Sequence, residues 1–202
     1  MNSVFELFQA TTARRPDAPF LCVPARAQRD YCPEGAEFSY QWMLDLALAA
    51  AHAYTEAGYG HDHRIALLLE NRPEFFVQYL ALNSLGVAIV PVNPDYRHDE
   101  IVYQLSHADV VLAVGISNRV TDLERASKNC PLRPPAIDVA QLSHEALPRA
   151  DQPPPRATAA IGRDTECAML YTSGTTGRPK GCLHTNDYFI TAGEWYRTLG
   201  GE

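Results

Sequence analysis

Apolar positions along the chain alternate between two rhythms. Over 3–14, Val4, Leu7 and Phe8 fall on one face at helical spacing, whereas "FLCV" (20–23) is a short apolar run of strand length. Residues 25–36 are polar and turn-rich and read as an exposed loop. Ser39 is placed to cap a helix over 40–57, with Met43, Ala47, Ala50 and Tyr54 on one face and Gly58 as its stop. "RIALLL" (64–69) is again strand-like; Pro73 sits near the start of the next helix, where its missing N–H does little harm, and Gly86 ends it. The alternation continues with "VAIVPV" (87–92), a helix over 97–107, "DVVLAV" (109–114) and a helix over 117–129. Residues 131–158 carry seven prolines and few periodic apolar positions, so they read as a long connection. "ECAMLY" (166–171) is a buried strand, and a last helix is expected to start near Thr185 or Asn186 and run through Trp195 toward Gly200.

Apolar strands alternating with amphipathic helices predict an α/β fold around a largely parallel, buried sheet. The expected organisation is α/β units over 1–130, the proline-rich connection over 131–158, and a strand, a glycine-rich loop and a helix over 159–202.

Composition narrows the function classes. With 46% hydrophobic residues in 202, the chain can bury a core without staples. Seventeen basic against 24 acidic residues give a net charge of -7, which disfavours nucleic acid or an anionic membrane as partner. A small anionic ligand is still allowed, because a local site can be positive on an acidic protein. Five cysteines, an odd number without a C-x-x-C pair, indicate reduced thiols in a cytoplasmic setting and no metal spacing. The start "MNSVFELFQATTARR" lacks the features of a signal peptide, and no apolar run approaches the roughly 20 residues of a membrane span.

The segment "YTSGTTGRPKG" (171–181) has no counterpart elsewhere in the chain. Glycines let a backbone turn tightly and approach a ligand, and successive N–H groups form an anion-binding concavity. Thr172, Ser173, Thr175 and Thr176 add hydroxyls, Gly174 and Gly177 add freedom, and Lys180 adds charge. Following a buried strand, such a loop reads as a phosphate cradle; a flexible polar surface turn is the alternative. A Walker loop is excluded, because Lys180 lies between Pro179 and Gly181 instead of between Gly and Ser or Thr.

"YTSGTTGRPKG" resembles the phosphate-loop signature of the adenylate-forming superfamily, which includes acyl- and aryl-CoA synthetases, luciferases and peptide-synthetase adenylation domains. "RIALLLENRPEFFVQYLALNSLGVAIVPVNP" and "YRHDEIVYQLSHADVVLAV" resemble regions that precede the loop in that family, so the likeness spans nearly the whole chain. The resemblance implies the first part of a large N-terminal domain. It also implies a reaction in which a carboxylic acid and ATP, with Mg²⁺, form an acyl-adenylate and pyrophosphate. In the CoA ligases a thioester with CoA follows. Carried over, Thr172, Ser173, Gly174, Thr175, Thr176, Gly177 and Lys180 would cradle the β- and γ-phosphates. The surrounding "LYTSGTTGRPKGC" and "YFITAGEWY" look most like acyl-CoA ligases.

The chain departs from the family at two places. The usual Thr-His after the loop is Thr185-Asn186, with His184 just before it, and the usual Gly-Asp-Arg-Val is Asp62-His63-Arg64-Ile65, expected to be a surface difference. The family's later elements lie beyond residue 202, so the chain is expected to be a fragment without adenylation activity of its own. The alternative is a non-catalytic module that acts through binding or self-association. His61 and His63 read as solvated loop residues; Tyr188, Trp195 and Tyr196 as core aromatics; Cys167 as an inert small hydrophobe; Cys182 as no nucleophile.

Overall fold

The computed structural model describes residues 1–142, 147–150, 160–172 and 179–200. The chain opens with helix α1 (Val4–Arg14), whose first turn is closed by the Ser3 hydroxyl accepting from the Glu6 amide at 3.1 Å. A two-stranded antiparallel ribbon follows, β1 (Pro19–Val23) and β2 (Ala36–Ser39). The sequence pattern places no strand over 36–39, because four residues, none buried, carry no alternation to detect. At Ser39 the strand gives way to helix α2 (Tyr40–Glu56), and the Ser39 hydroxyl accepts from the Trp42 amide at 3.2 Å as its capping position predicts.

The main sheet and its helices come next: β3 (Arg64–Leu68), α3 (Pro73–Ser84), β4 (Ala88–Pro91), α4 (His98–His107), β5 (Leu112–Gly115), α5 (Val120–Ser127), β6 (Ala136–Asp138), β7 (Glu166–Thr172), β8 (Lys180–Thr185) and α6 (Asn186–Thr198). Pro73 is the first residue of α3. Gly86, just beyond that helix, has φ +71, and a Cβ there would meet the His61 ring at 2.6 Å, so glycine is required twice over. β5 starts three residues later than the apolar run suggests. Asp109 turns the chain at φ +50, and Val110 and Val111 first bond the carbonyls of Leu105 and Arg64.

The strands run in the order β6-β5-β3-β4-β7-β8, all parallel to their neighbours except β8, which pairs antiparallel with β7. This is the largely parallel α/β sheet expected from the alternation of elements. Both faces are covered, and strand residues alternate between two cores. Ile65, Leu67, Ile89, Leu112, Val114 and Ala168 pack with α1, α2 and α3, whereas Ala66, Leu68, Val90, Ala113 and Met169 pack with α4 and α5. Continuous apolar strand sequences follow from this two-sided burial.

Two further strands fall where the pattern shows none. β6 and a single 3-10 turn, Val139–Gln141, lie inside the proline-rich connection; the Asp138 carboxylate caps that turn by accepting from the Ala140 amide at 2.9 Å. β6 is a three-residue, half-buried edge strand, too short to carry a period. β8 lies between the glycine-rich loop and the last helix. Its sequence "KGCLHT" is half exposed and holds one large apolar residue, Leu183, itself on the surface.

Candidate functional site

The β7–β8 hairpin builds the site. Because β7 runs parallel to β4, its last residue, Thr172, lies at the carboxyl edge of the sheet, where open α/β sheets bind ligands. β8 returns antiparallel, and its first residue, Lys180, stands opposite Thr172. Two of the seven predicted phosphate-binding residues therefore face each other across the two ends of the loop, both exposed to solvent. Ser173, Gly174, Thr175, Thr176 and Gly177 lie outside the described residues. Behind the Thr172–Lys180 pair, Gly181 stands opposite Tyr171. A Cβ on Gly181 would meet Met169 Cε at 2.3 Å and Tyr171 Cζ at 3.2 Å, so the missing side chain is what lets these two pack across the hairpin.

Helix α4 contacts both stems of this hairpin. The Tyr171 hydroxyl and His107 Nδ1 lie 2.7 Å apart, and the Tyr103 hydroxyl donates to the Pro179 carbonyl at 3.0 Å. The rings of Tyr103, His107 and Tyr171 pack together with centroids 5.3 to 6.4 Å apart. Burial pushes the Tyr171 phenol up to about 12, so it remains a neutral hydroxyl near pH 7. Neither Tyr103 nor His107 stands out in the sequence. Their i, i+4 spacing marks one helix face, but nothing in the linear order ties that face to a hairpin 64 positions away.

Below the hairpin, Cys167 is part of a buried polar network. Its sulfur lies 3.0 Å from the Tyr79 hydroxyl and 3.1 Å from Asn83 Nδ2. Asn83 Nδ2 also donates to Asn186 Oδ1 at 2.8 Å, which accepts the Val4 amide at 3.2 Å as well. Asn186 Nδ2 donates to the Gly162 carbonyl at 3.0 Å. The residue that replaces the expected histidine is thus fully buried and ties α1, α3 and α6 together. Burial pushes the Cys167 thiol up to about 11, against the opposing pull of its bonds to Tyr79 and Asn83. It is no thiolate nucleophile at neutral pH, in line with its sequence reading.

Three expectations are corrected. His63 is buried instead of solvated: the turn with Asp62 at φ +72 folds it inward, where its Nδ1 accepts the Gly60 amide at 3.3 Å. The segment 62–65, taken as a surface difference, is not a surface one: Ile65 is fully buried, and Arg64 forms a bidentate pair with Glu166 (2.9 and 3.0 Å) that joins the amino ends of β3 and β7. Tyr188, Trp195 and Tyr196 are more than half exposed, because α6 turns Ile190 and Phe189 toward the core instead. Among the described residues, no group of three or more His, Cys, Asp or Glu side chains is placed to hold a metal.

On the opposite face of β7 from Tyr171, an apolar groove of about 510 Å³ opens between α1, α3 and α6. Leu170, two residues before Thr172, is in its floor, with Phe8, Phe75, Phe76, Tyr79 and Phe189 around it. No helix among the described residues is long and apolar enough to cross a membrane.

Residues 8–200 match the family described as AMP-binding enzyme. The chain is 26% identical over 202 residues to tyrocidine synthase 3 of Brevibacillus parabrevis, covering 97% of this chain and 3% of that protein. It is 31% identical over 170 residues to the long-chain-fatty-acid–CoA ligase FadD13 of Mycobacterium tuberculosis, covering 80% of this chain and 32% of the ligase. The chain therefore spans about a third or less of these relatives. Among solved structures, VinN superposes over 100% of this chain and 48% of its own, with a TM-score of 0.76 at 16% identity, a likeness of fold.

Proposed function

The chain belongs to the AMP-binding enzyme family, and from that premise we propose that segment 171–181 cradles the β- and γ-phosphates of ATP. The ligand set is Thr172, Ser173, Gly174, Thr175, Thr176, Gly177 and Lys180. The observation that carries this reading is the placement of Thr172 and Lys180 opposite one another at the carboxyl edge of the sheet. A hydroxyl and an ammonium on the two sides of one glycine-rich loop suit a dispersed negative charge, and the loop amides add donors.

In the proposed reaction, a carboxylate oxygen attacks the α-phosphorus of ATP as the bond to the bridging oxygen breaks. This yields an acyl-adenylate and pyrophosphate, and a CoA thiolate then displaces AMP to give the thioester. The loop's part is electrostatic: it holds the departing pyrophosphate and no protein nucleophile is needed. The CoA branch is favoured over the peptide-synthetase branch by the contexts "LYTSGTTGRPKGC" and "YFITAGEWY". Mg²⁺ is proposed as the ion that accompanies ATP; among the described residues no group of three or more His, Cys, Asp or Glu side chains is placed to hold it. All five cysteines carry free thiols, which suits the reducing cytoplasmic setting proposed for the protein.

Adenine, ribose and acid contacts are assigned to parts of the family's fold beyond these residues. The chain alone is therefore expected to bind Mg·ATP weakly and to release no pyrophosphate when given carboxylic acids. Calorimetric titration tests this directly. A charge-assisted contact from Lys180 implies about ten- to hundredfold weaker binding in Lys180→Ala. Equal affinity in the two proteins sinks the cradle, and micromolar binding by the wild type contradicts the division of contacts.

A second reading, association through an apolar surface, is favoured by the open groove and by Tyr188, Trp195 and Tyr196 exposed along α6, with Leu199 exposed just beyond its end. Sedimentation at rising concentration should then show a reversible dimer; a monomer throughout removes this reading.

A further inference from the structure

We propose that helix α4 is a clamp on the phosphate loop, with His107 and Tyr103 as positioning residues that hold its two stems. The proposal rests on the phosphate-binding reading of segment 171–181 and goes beyond it. It assigns a role to two residues outside the loop, neither of which touches the phosphate.

The geometry points to this division of labour. Tyr103 and His107 are one helical turn apart, on the same face of α4. Each reaches a different stem. His107 Nδ1 bonds the hydroxyl of Tyr171, the residue before Thr172, and Tyr103 bonds the carbonyl of Pro179, the residue before Lys180. The two stem residues thus flank the two exposed phosphate-binding side chains. α4 itself is a firm base. Ile101 and Leu105 are buried in the core beneath it, and Gln104 Nε2 donates to the Pro91 carbonyl at the end of β4 at 2.8 Å. Its first turn is closed by Glu100 accepting the Arg97 amide at 2.9 Å. On the hairpin side, the absence of a side chain at Gly181 leaves the space that the Tyr171 ring uses.

The backbone ladder already sets Thr172 opposite Lys180. A two-stranded end remains free to twist and splay, however, and side-chain ties to a packed helix reduce that freedom. With the stems held before the ligand arrives, less conformational entropy is lost when phosphate binds. Losing a staple that served only the fold would lower stability and leave the response to phosphate unchanged. Losing a clamp lowers the affinity for phosphate as well.

Inorganic pyrophosphate titrated into the isotope-labelled chain, with the amide signals of Thr172 and Lys180 as readout, separates these cases even when binding is weak. Tyr171→Phe removes one hydroxyl and keeps the ring, so its fold is secure. His107→Ala and Tyr103→Phe test the helix side, His107→Gln tests rescue, and Lys180→Ala reports on the cradle itself. The expected result is a three- to tenfold loss of affinity in Tyr171→Phe and in His107→Ala, the usual range for one neutral hydrogen bond. The double variant should be no weaker than either single variant, and His107→Gln should recover most of the loss. Wild-type affinity in Tyr171→Phe and His107→Ala, alongside weakened Lys180→Ala, overturns the clamp and leaves the cradle standing. Losses that merely track melting temperature, with no rescue by glutamine, also overturn it. A wild type that does not respond, or a Lys180→Ala variant that responds equally, overturns the cradle and the clamp with it.

Discussion

Cys167 shows how one buried residue can be read correctly in chemistry and incompletely in contacts. The sequence marks it as a small apolar strand residue, whereas the structure adds bonds from Tyr79 and Asn83 that make it the hub of a polar network. Burial raises its thiol from 9.0 to about 11 and raises the phenols of Tyr54 and Tyr79 as well. The folded state therefore holds these protons more tightly than the unfolded chain does. The associated stability is fully present below pH 9.0 and is lost as pH rises toward about 11. Melting temperatures measured from pH 8 to 11 should fall over that window, and Cys167→Ala should delay the onset. An onset that does not move in the variant argues against the assignment. His63 and Arg64 show what the sequence hides at this scale. A His beside an Arg in a short loop looks solvated, and only the fold of the 59–62 turn and the distant Glu166 reveal one as buried and the other as paired.

At the level of elements, legibility followed burial. Strands β3, β4 and β7 lie between two helical layers and so read as apolar runs, and the capping roles of Ser39 and Pro73 could be stated from residue type alone. Strands β2, β6 and β8 are short or half exposed, and their place is set by partners far along the chain. β8 matters most, since it turns the expected strand–loop–helix into a hairpin and sets Lys180 across from Thr172. Gly181 lets that hairpin pack closely. Gly181→Ala would displace the flexible end of Met169 and press a methyl against the Tyr171 ring, an overpacking at the low end of the usual range, about 1 kcal/mol. Urea unfolding should show this loss, and pyrophosphate binding should weaken with it. An alanine variant as stable as the wild type would mean that the hairpin packs differently. Ser39→Ala offers a calibration elsewhere in the fold, with an expected cost of about 1 kcal/mol for one lost cap.

Across the whole molecule, the two-sided sheet separates a structural ion pair from the proposed phosphate site. The Arg64–Glu166 pair joins strands at the amino edge, and the Thr172–Lys180 pair presents its groups at the carboxyl edge. The class of fold and the position of the loop could be read from alternating runs and one eleven-residue segment. The α4 contacts and the groove beneath Leu170 could not, because both are made by residues brought together only by the crossovers. The family assignment supports the proposed reaction, and the chain spans about a third or less of the relatives it matches. The most direct measurement is a map of backbone amide shifts on adding Mg·ATP to the wild-type chain and to Lys180→Ala. Saturable shifts centred on Thr172 and Lys180, lost in the variant, are the expected result. Shifts centred elsewhere, or the same map in both proteins, would contradict a phosphate cradle at the β7–β8 hairpin.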